Sequence, residues 1–379
     1  MTRKKLAIIR SSYRPDGGAE RIIARMLEGL QTHYAMDVSL ITKKWQASEN
    51  DDFNVIQCPK RGLFRHTKFQ NFNDDVTTLL QQHAFDLVQS HERIPSCQIY
   101  RAGDGVHKQW LELRKQNASP IQQFLWDHSP YHNSILHAEK TMFAHPNLKK
   151  VICNAPQIKH DILKHYPETP EDKLVVIYNG INLETFPFCS SKKQQQVRES
   201  LALNKNDKIL LYIGSGFQRK GLITLLQALP LVPEWKLIVV GKDKKIRFYQ
   251  RLCKQLHIGQ RVIFVGMQTD VQNYYASCDL LVHPALYDPA PNVVLEAMAS
   301  GRGVIISQNC GNHELIEEGK NGFVFEAGDS KALASLLRKL KDKQKLITLG
   351  QYARKTAEDY PTSRMIHSLI SLYNNLLTK

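Results

Sequence analysis

The residues best suited to chemistry lie in three short stretches, and the first of these is Gly214–Gly221, with the sequence GSGFQRKG. Its glycines let the backbone approach a ligand closely, and Arg219 and Lys220 follow as adjacent cations. Arginine offers a planar fork of donors and lysine a point charge, and together they suit a pyrophosphate. The stretch predicts an anion site, although a surface turn with solvated charges has the same residue types.

A second glycine pair, Gly17 and Gly18, stands in the stretch 14–21 (RPDGGAER), between a predicted strand and a predicted helix. The free N–H groups and partial positive charge of a helix start attract anions. The stretch matches neither the G-x-G-x-x-G pattern of dinucleotide-binding proteins nor the Gly-Lys-Ser/Thr of a P-loop. It therefore adds a possible phosphate contact and disfavours NAD binding.

The third stretch, His283–Met298, carries two acids with seven residues between them. Asp288 lies in a proline-rich loop and Glu296 on the helix predicted to begin near Asn292. Both acids would lie close to the exposed N–H groups of Asn292, Val293 and Val294. An acid near a helix start is often only favourable electrostatics. Together with a loop acid at the mouth of a cleft, it can accept hydrogen bonds from sugar hydroxyls.

Short apolar strands without alternation, each followed by a turn and an amphipathic segment, must position these stretches. Such a pattern is typical of parallel sheets covered by helices on both faces, and predicts βαβ units in doubly wound sheets. We predict strands at Leu6–Ile9, Val38–Ile41, Asp86–Gln89, Lys149–Cys153, Leu174–Ile177, Ile209–Ile213, Lys236–Val240, Arg261–Val265, Leu280–His283, Val304–Ser307 and Phe323–Phe325.

The chain divides into two predicted Rossmann-like domains whose strand ends open on one cleft. We place the first at residues 1–185, a polar linker at 186–205 and the second domain at 206–355. The final segment, 356–379, repeats apolar residues at helical spacing and is expected to form a helix that packs back on the first domain.

Taken in their order along the chain, the glycine pair at 17–18, the loop Gly214–Gly221 and the acidic stretch His283–Met298 resemble those of retaining glycosyltransferases of family 4, which have the two-domain GT-B fold. Further matches are the segments 176–182 (VIYNGIN), 311–316 (GNHELI) and 321–324 (NGFV), so the resemblance spans about 17–325. Within the family, the segment 100–106 (YRAGDGV) and the aromatic, basic residues behind it look most like bacterial lipopolysaccharide core glucosyltransferases.

The resemblance implies a role for each matching residue on the donor side. Arg219 and Lys220 would hold the diphosphate of a UDP-sugar and stabilise the leaving UDP, so that neither a metal nor a cofactor is needed. Glu296 would accept hydrogen bonds from the ribose hydroxyls, and Asp288 would contact the transferred sugar. The remaining donor contacts would come from the backbone at Gly17, Gly18, Gly214, Asn292, Val293 and Val294.

On the acceptor side, Asp104 is the candidate carboxylate, and would position the acceptor hydroxyl or help to deprotonate it. An acid in a glycine-flanked turn is an equally good explanation of this residue. The family usually has Glu where this chain has Asp288, one methylene shorter, so the sugar contact or the sugar itself can differ. Family enzymes retain the anomeric configuration, many of them without a covalent intermediate, so the resemblance does not imply that the two acids are the acid and nucleophile of a glycosidase.

Composition limits the partners and the location. The formal net charge is +15, which favours an anionic partner: a nucleic acid, an anionic membrane or a phosphorylated substrate. The seven cysteines are scattered without a C-x-x-C pair, as expected of individually buried thiols in a reducing compartment, and no histidine cluster with metal-ligand spacing occurs. With neither a signal peptide nor a membrane span recognised, we expect a cytoplasmic location.

The leading hypothesis is a retaining transferase that moves a hexose, glucose first of all, from a UDP-sugar to a heptose of the lipopolysaccharide inner core. Residues 107–150 mix aromatic and basic side chains that could hold it on the inner face of the cytoplasmic membrane or simply cover the acceptor side. The alternatives are a UDP-N-acetylglucosamine 2-epimerase of the same fold, a family 4 transferase for another glycan, and a nucleic-acid-binding protein, for which no motif is present.

Overall fold

The computed structural model describes residues 3–12, 23–24, 26–27, 29–30, 36–44, 54–116 and 118–378. These form two compact units that are treated separately below. Residues 1–180 and 362–379 make the first unit, and residues 181–361 make the second. The chain thus enters the second unit after Gly180 and returns to the first at Thr362.

The first unit is built on a seven-stranded parallel sheet with the order β3-β2-β1-β4-β5-β6-β7. Its strands are apolar and buried on both faces at the centre, as a helix-covered parallel sheet requires. The strands are β1 (Lys4–Ile9), β2 (Met36–Thr42), β3 (Asn54–Gln57), β4 (Leu87–Ser90), β5 (Ile99–Arg101), β6 (Lys150–Cys153) and β7 (Leu174–Val176).

Helices cover this sheet, and the last of them comes from the end of the chain. They are α1 (Arg65–Gln82), α2 (His107–Lys115), α3 (Pro120–Asp127), α4 (Pro130–Ala144), α5 (Pro156–His165) and α13 (Thr362–Leu377). Leu369 and Tyr373 of α13 are fully buried in the core that contains Leu6 and Ile8 of β1. The apolar stripe of the final helix is therefore covered by the first unit.

The second unit holds a six-stranded parallel sheet with the order β10-β9-β8-β11-β12-β13. The strands are β8 (Lys208–Ile213), β9 (Trp235–Val240), β10 (Val262–Gly266), β11 (Leu280–His283), β12 (Gly303–Ser307) and β13 (Gly322–Phe325). The helices are α6 (Ser191–Ser200), α7 (Leu222–Ala228), α8 (Ile246–Gln255), α9 (Gln272–Ser277), α10 (Asn292–Ala299), α11 (Ser330–Lys339) and α12 (Lys343–Glu358).

In each sheet, successive strands are added first on one side of the initial strand and then on its other side. The order reverses between β1 and β4 in the first sheet and between β8 and β11 in the second. Such a reversal is the topological switch point at which doubly wound sheets bind their ligands, beyond the carboxyl ends of the strands. The predicted α/β class and the doubly wound sheets are confirmed.

The predicted linker at 186–205 is wrong, because this segment packs into the second unit. Ser190 caps α6 by accepting a hydrogen bond from the Lys193 N–H at 3.3 Å. Arg198 is buried and pairs with the Asp279 carboxylate at 2.8 Å. The segment is polar in composition, but Gln194 and Arg198 are buried with hydrogen-bond partners in the second unit, so the polar composition did not indicate an exposed linker.

All eleven predicted strands are present. The described residues form two further strands, β3 and β5, that the hydrophobic pattern did not predict. The edge strand β3 has no fully buried residue, and β5 is only three residues long and ends in the charged Arg101. That arginine is buried, and its guanidinium donates a hydrogen bond to Asn179 Oδ1 at 2.9 Å, which offsets part of the cost of burying the charge. All seven cysteines are free and buried, as predicted.

Candidate active site

The loop Gly214–Gly221 leaves the carboxyl end of β8 and leads into α7, at the switch point of the second sheet. Its glycines are required by close contacts. A Cβ on Gly214 would lie 2.5 Å from Cδ of Lys220. Gly221 has φ +69°, and a Cβ there would lie 1.8 Å from the carbonyl oxygen of Pro284. Substituting either glycine would push the Arg219–Lys220 pair away from the loop after β11.

Asp243, in the loop after β9, holds the same loop from its other side. One carboxylate oxygen accepts from the Phe217 N–H at 2.8 Å and the other from the Lys245 N–H at 2.8 Å. This acid was not among the predicted site residues, and it stands alone within a run of basic residues. Its position shows that the anion-site loop is fixed by side-chain to backbone hydrogen bonds.

The loop after β11 fixes the arginine of the cation pair. The Arg219 guanidinium donates to the carbonyl oxygen of Tyr287 at 2.8 Å, and the Arg219 carbonyl accepts from the Leu286 N–H at 2.8 Å. The Arg219 side chain keeps 39% of its surface exposed and that of Lys220 keeps 17%. Both cations are thus held in position while remaining accessible to an anion.

Asp288 lies beside both cations and is itself 7% exposed. Its Oδ2 is 3.4 Å from Lys220 Nζ, and its Oδ1 is 3.8 Å from an Arg219 nitrogen. Burial alone would raise the pKa of Asp288, but Lys220, Arg219 and a hydrogen bond from His283 outweigh it and hold the pKa well below its usual range. The structure therefore brings the predicted residues Arg219, Lys220 and Asp288 into one charged cluster with an ionised carboxylate.

His283, the last residue of β11, was not among the predicted site residues. Its Nε2 lies 2.9 Å from Asp288 Oδ2, and the residue is fully buried. Burial, together with Lys220 and Arg219, lowers the pKa of His283 even though Asp288 opposes the shift. The signal available in the sequence was a histidine at the carboxyl end of a predicted strand at the switch point.

Helix α10 begins at Asn292, as predicted, and buries Glu296 in its middle. The Tyr275 hydroxyl donates to Glu296 Oε2 at 2.7 Å, so this acid already has one fixed partner. Of the backbone groups expected to face a ligand, the Val294 N–H donates to the Pro291 carbonyl at 3.1 Å. Val293 and Val294 are buried apolar residues, and Asn292 is half-buried at the helix start.

In the first unit, Asp104 occupies the turn that follows β5, between Gly103 and Gly105. Its side chain is 49% exposed, and Oδ2 lies 3.3 Å from the Arg10 guanidinium. The same arginine is 3.6 Å from Glu92. The turn thus offers a solvent-accessible carboxylate beyond the carboxyl edge of the first sheet. Gly17 and Gly18 lie outside the described residues.

The described part of the chain contains neither a cluster of metal ligands nor a membrane-spanning helix. No three His, Cys, Asp or Glu side chains there are grouped so that they could hold a metal ion. No described helix is long and apolar enough to cross a membrane.

Comparison with known proteins covers most of the chain. Residues 16–185 match the model of glycosyltransferase family 4, and residues 193–356 match that of glycosyl transferases group 1. The lipopolysaccharide glucosyltransferase WaaG of Escherichia coli (strain K12) is 26% identical over 340 residues, which are 86% of this chain and 87% of that protein.

Two solved structures share the whole architecture. The crystal structure of WaaG, a glycosyltransferase involved in lipopolysaccharide biosynthesis, has a TM-score of 0.85 at 24% identity and covers 97% of this chain and 99% of that one. Anabaena HepE in complex with UDP-glucose has a TM-score of 0.77 at 20% identity, covering 98% and 99%. The two family matches and the paired Rossmann-like sheets agree, and the chain belongs to the family 4 glycosyltransferases with the GT-B fold.

Proposed function

We propose that this glycosyltransferase moves a hexose, glucose first of all, from a UDP-sugar to a heptose of the lipopolysaccharide inner core, with retention of configuration. The observation that carries the donor assignment is the cluster of Arg219, Lys220 and Asp288 at the switch point of the second sheet. Two fixed but accessible cations match the diphosphate of a nucleotide-sugar and can stabilise the charge that develops on the leaving UDP.

The remaining contacts follow from where the acids lie. Asp288, ionised and buried, would accept hydrogen bonds from hydroxyls of the transferred sugar, and Glu296 from the ribose hydroxyls. Asp104 of the first unit would position the acceptor hydroxyl or help to deprotonate it. Because Arg219 and Lys220 supply the positive charge, we propose that the transfer requires no metal ion or other cofactor. Activity unchanged by EDTA would support this part of the proposal.

The acceptor assignment rests on the relatives. WaaG of Escherichia coli is a lipopolysaccharide glucosyltransferase that aligns over 86% of this chain, and HepE was solved with UDP-glucose. The direct test is to incubate truncated lipopolysaccharide with a panel of UDP-sugars and to detect the added hexose by mass spectrometry. NMR of the product then gives the anomeric configuration. Addition of no hexose from any UDP-sugar would contradict the proposal.

The same assay separates the transferase from an epimerase of the same fold. An epimerase would convert UDP-N-acetylglucosamine with no acceptor present, and a transferase needs the acceptor for sugar transfer. Analysis of the UDP-sugar after incubation without acceptor therefore decides between them. Conversion to an epimer under these conditions would favour the isomerase.

We further propose that the first unit attaches to the inner face of the cytoplasmic membrane through α3. This helix has no buried residue, and Ile121, Phe124 and Leu125 are 74%, 60% and 61% exposed. Their spacing places the three side chains on one helix face. Arg114 stacks on Trp126 at 3.8 Å, so a cation lies against this helix. Apolar and aromatic residues beside cations suit the interface of an anionic bilayer.

Vesicle sedimentation tests the attachment. The wild-type chain should bind vesicles that contain phosphatidylglycerol more strongly than vesicles of phosphatidylcholine. The double variant Ile121→Ser/Phe124→Ser should lose roughly tenfold or more of this binding, because it removes apolar surface from the interface. Phe188→Ser in the second unit, where the ring is 48% exposed, is the matched control and should bind as wild type. Equal binding by all three proteins would contradict the proposal.

A further inference from the structure

Among the described residues, the Asp288 carboxylate has three side-chain partners, and they are of two kinds. His283 Nε2 lies 2.9 Å from Oδ2, within hydrogen-bond distance, and belongs to a fully buried residue. Lys220 and Arg219 lie farther away, at 3.4 Å and 3.8 Å, and their side chains reach solvent. The histidine is thus the close, sequestered partner, and the two cations are the looser, accessible ones.

The backbone of His283 is held as firmly as its side chain. His283 pairs with Ile306 of β12 at the end of a buried strand, and its carbonyl oxygen accepts from the Cys310 thiol at 3.6 Å. No hydrogen-bond partner for Nδ1 lies among the described residues. A carboxylate only accepts hydrogen bonds, so a neutral His283 carries its proton on Nε2 and donates it to Asp288.

A diphosphate would compete with Asp288 for the same two cations. Without a bound anion, the carboxylate is the counter-ion of Arg219 and Lys220. When the phosphates of a donor approach, the cations are drawn towards the larger negative charge, and like charges repel Asp288 from it. A carboxylate held only by the cations would move with them. A carboxylate hydrogen-bonded to a fixed histidine stays in place.

We propose that His283 is the positioning residue for Asp288, and that it keeps this carboxylate directed at the transferred sugar while the donor diphosphate takes over Arg219 and Lys220. The inference rests on the proposed function, since it assumes a nucleotide-sugar in this site. It adds a residue outside the predicted site and a second role for Asp288 as the counter-ion that the donor displaces.

The test compares three substitutions of the same residue. In His283→Gln the amide nitrogen can occupy the place of Nε2 and donate to Asp288. In His283→Asn the amide is one methylene shorter and does not reach, and in His283→Leu the donor is absent. We expect kcat to fall roughly tenfold in the Leu and Asn variants, as the loss of one hydrogen bond to a charged group predicts, and to recover in the Gln variant. The Kd of UDP, measured by calorimetry, should change by less than about threefold in all three.

A second variant tests the counter-ion role. Asp288→Asn removes the competing negative charge, so UDP should bind severalfold more tightly although sugar transfer is lost. The Asn variant of His283 serves if the Leu variant fails to fold, because it keeps a polar side chain. Equal kcat in the Gln and Asn variants, or weaker UDP binding by Asp288→Asn, would overturn the inference. Absence of UDP binding by the wild-type chain would instead refute the proposed function.

Discussion

The carboxyl edges of the two sheets each present an acid in a loop, but the two acids lie in opposite environments. Asp288 of the second unit is 7% exposed and lies within 4 Å of His283, Lys220 and Arg219. Asp104 of the first unit has a side chain that is 49% exposed and lies 3.3 Å from Arg10. Solvent screens the attraction between the exposed Asp104 and Arg10, whereas burial strengthens the electrostatic interactions of Asp288 with its neighbours.

The two edges therefore differ in how far their charged side chains are positioned before a ligand binds. In the second unit the charges are in place before any ligand binds, as an electrostatic site requires. In the first unit the carboxylate is half-exposed and therefore accessible to a ligand from solvent.

The largest expected effect is on transfer by the second unit. Lys220→Ala should lower kcat/KM by roughly 10²–10³-fold, the cost of removing one preorganised donor from a charge-stabilising site. Steady-state kinetics with UDP-sugar measures it. Lys254→Ala, an exposed lysine on α8, is the matched control and should behave as wild type. Transfer at the wild-type rate by the Lys220 variant would refute the donor site.

The second largest expected effect is on the free energy of unfolding at acid pH, and it comes from His107 in the first unit. Burial, with Arg93 and His132, lowers the pKa of His107 to about 3, so the folded chain keeps this histidine neutral. Between pH 6.5 and 3 the unfolded chain binds a proton that the folded chain does not, and stability falls as the pH falls. His107→Gln removes this loss, which reaches up to about 3 kcal/mol at pH 4.

Denaturant unfolding followed at pH 7 and pH 4 measures the difference. The variant should lose less stability than the wild-type chain on acidification. His128→Gln, an exposed histidine, is the control and should follow the wild type. An identical acid response of the His107 variant and the wild-type chain would contradict the assignment.

A smaller effect is expected at the exposed acid. Asp104→Asn should lower kcat about tenfold, because a positioning group for the acceptor is lost, and should leave the Kd of UDP unchanged. Calorimetry with UDP and kinetics with varied acceptor separate the two quantities. A changed UDP affinity would show that Asp104 acts on the donor, and the contrast between the two edges would fail.

The smallest effect concerns stability at α3. Phe124→Ser should change the free energy of unfolding by no more than about 0.5 kcal/mol, since the ring is 60% exposed and leaves no cavity. Urea denaturation measures it. A loss of several kcal/mol would mean that the ring is buried in the folded protein, and α3 could then not serve as a membrane-facing helix.

The two sheets were predictable from sequence because parallel strands covered on both faces must be apolar throughout. Eleven such runs stand out along the chain. The exceptions follow from the same physics: β3 is a half-exposed edge strand, and β5 buries Arg101 against Asn179. The amino-acid type does not reveal whether an arginine such as Arg101 is buried with a hydrogen-bond partner or exposed at the surface.

Part of the candidate site was predictable, since the structure brings Arg219, Lys220 and Asp288 together. The glycines, the cations and the two acids were evident because anion and sugar recognition restricts the residue types. Their mutual distances were not, since Lys220 and Asp288 are brought together by the pairing of β8 with β11. His283 was missed because a histidine at the end of a strand has many uses, and only its hydrogen bond to Asp288 selects one.

Local hydrophobic pattern and turn chemistry specify the fold class, the positions of most strands along the chain and the residue types of the donor loop, so these features could be predicted from the sequence. Only the tertiary contacts make 191–200 a helix of the second unit and keep Asp288 ionised beside its three partners. These features depend on contacts between residues far apart in the chain, which no local pattern contains.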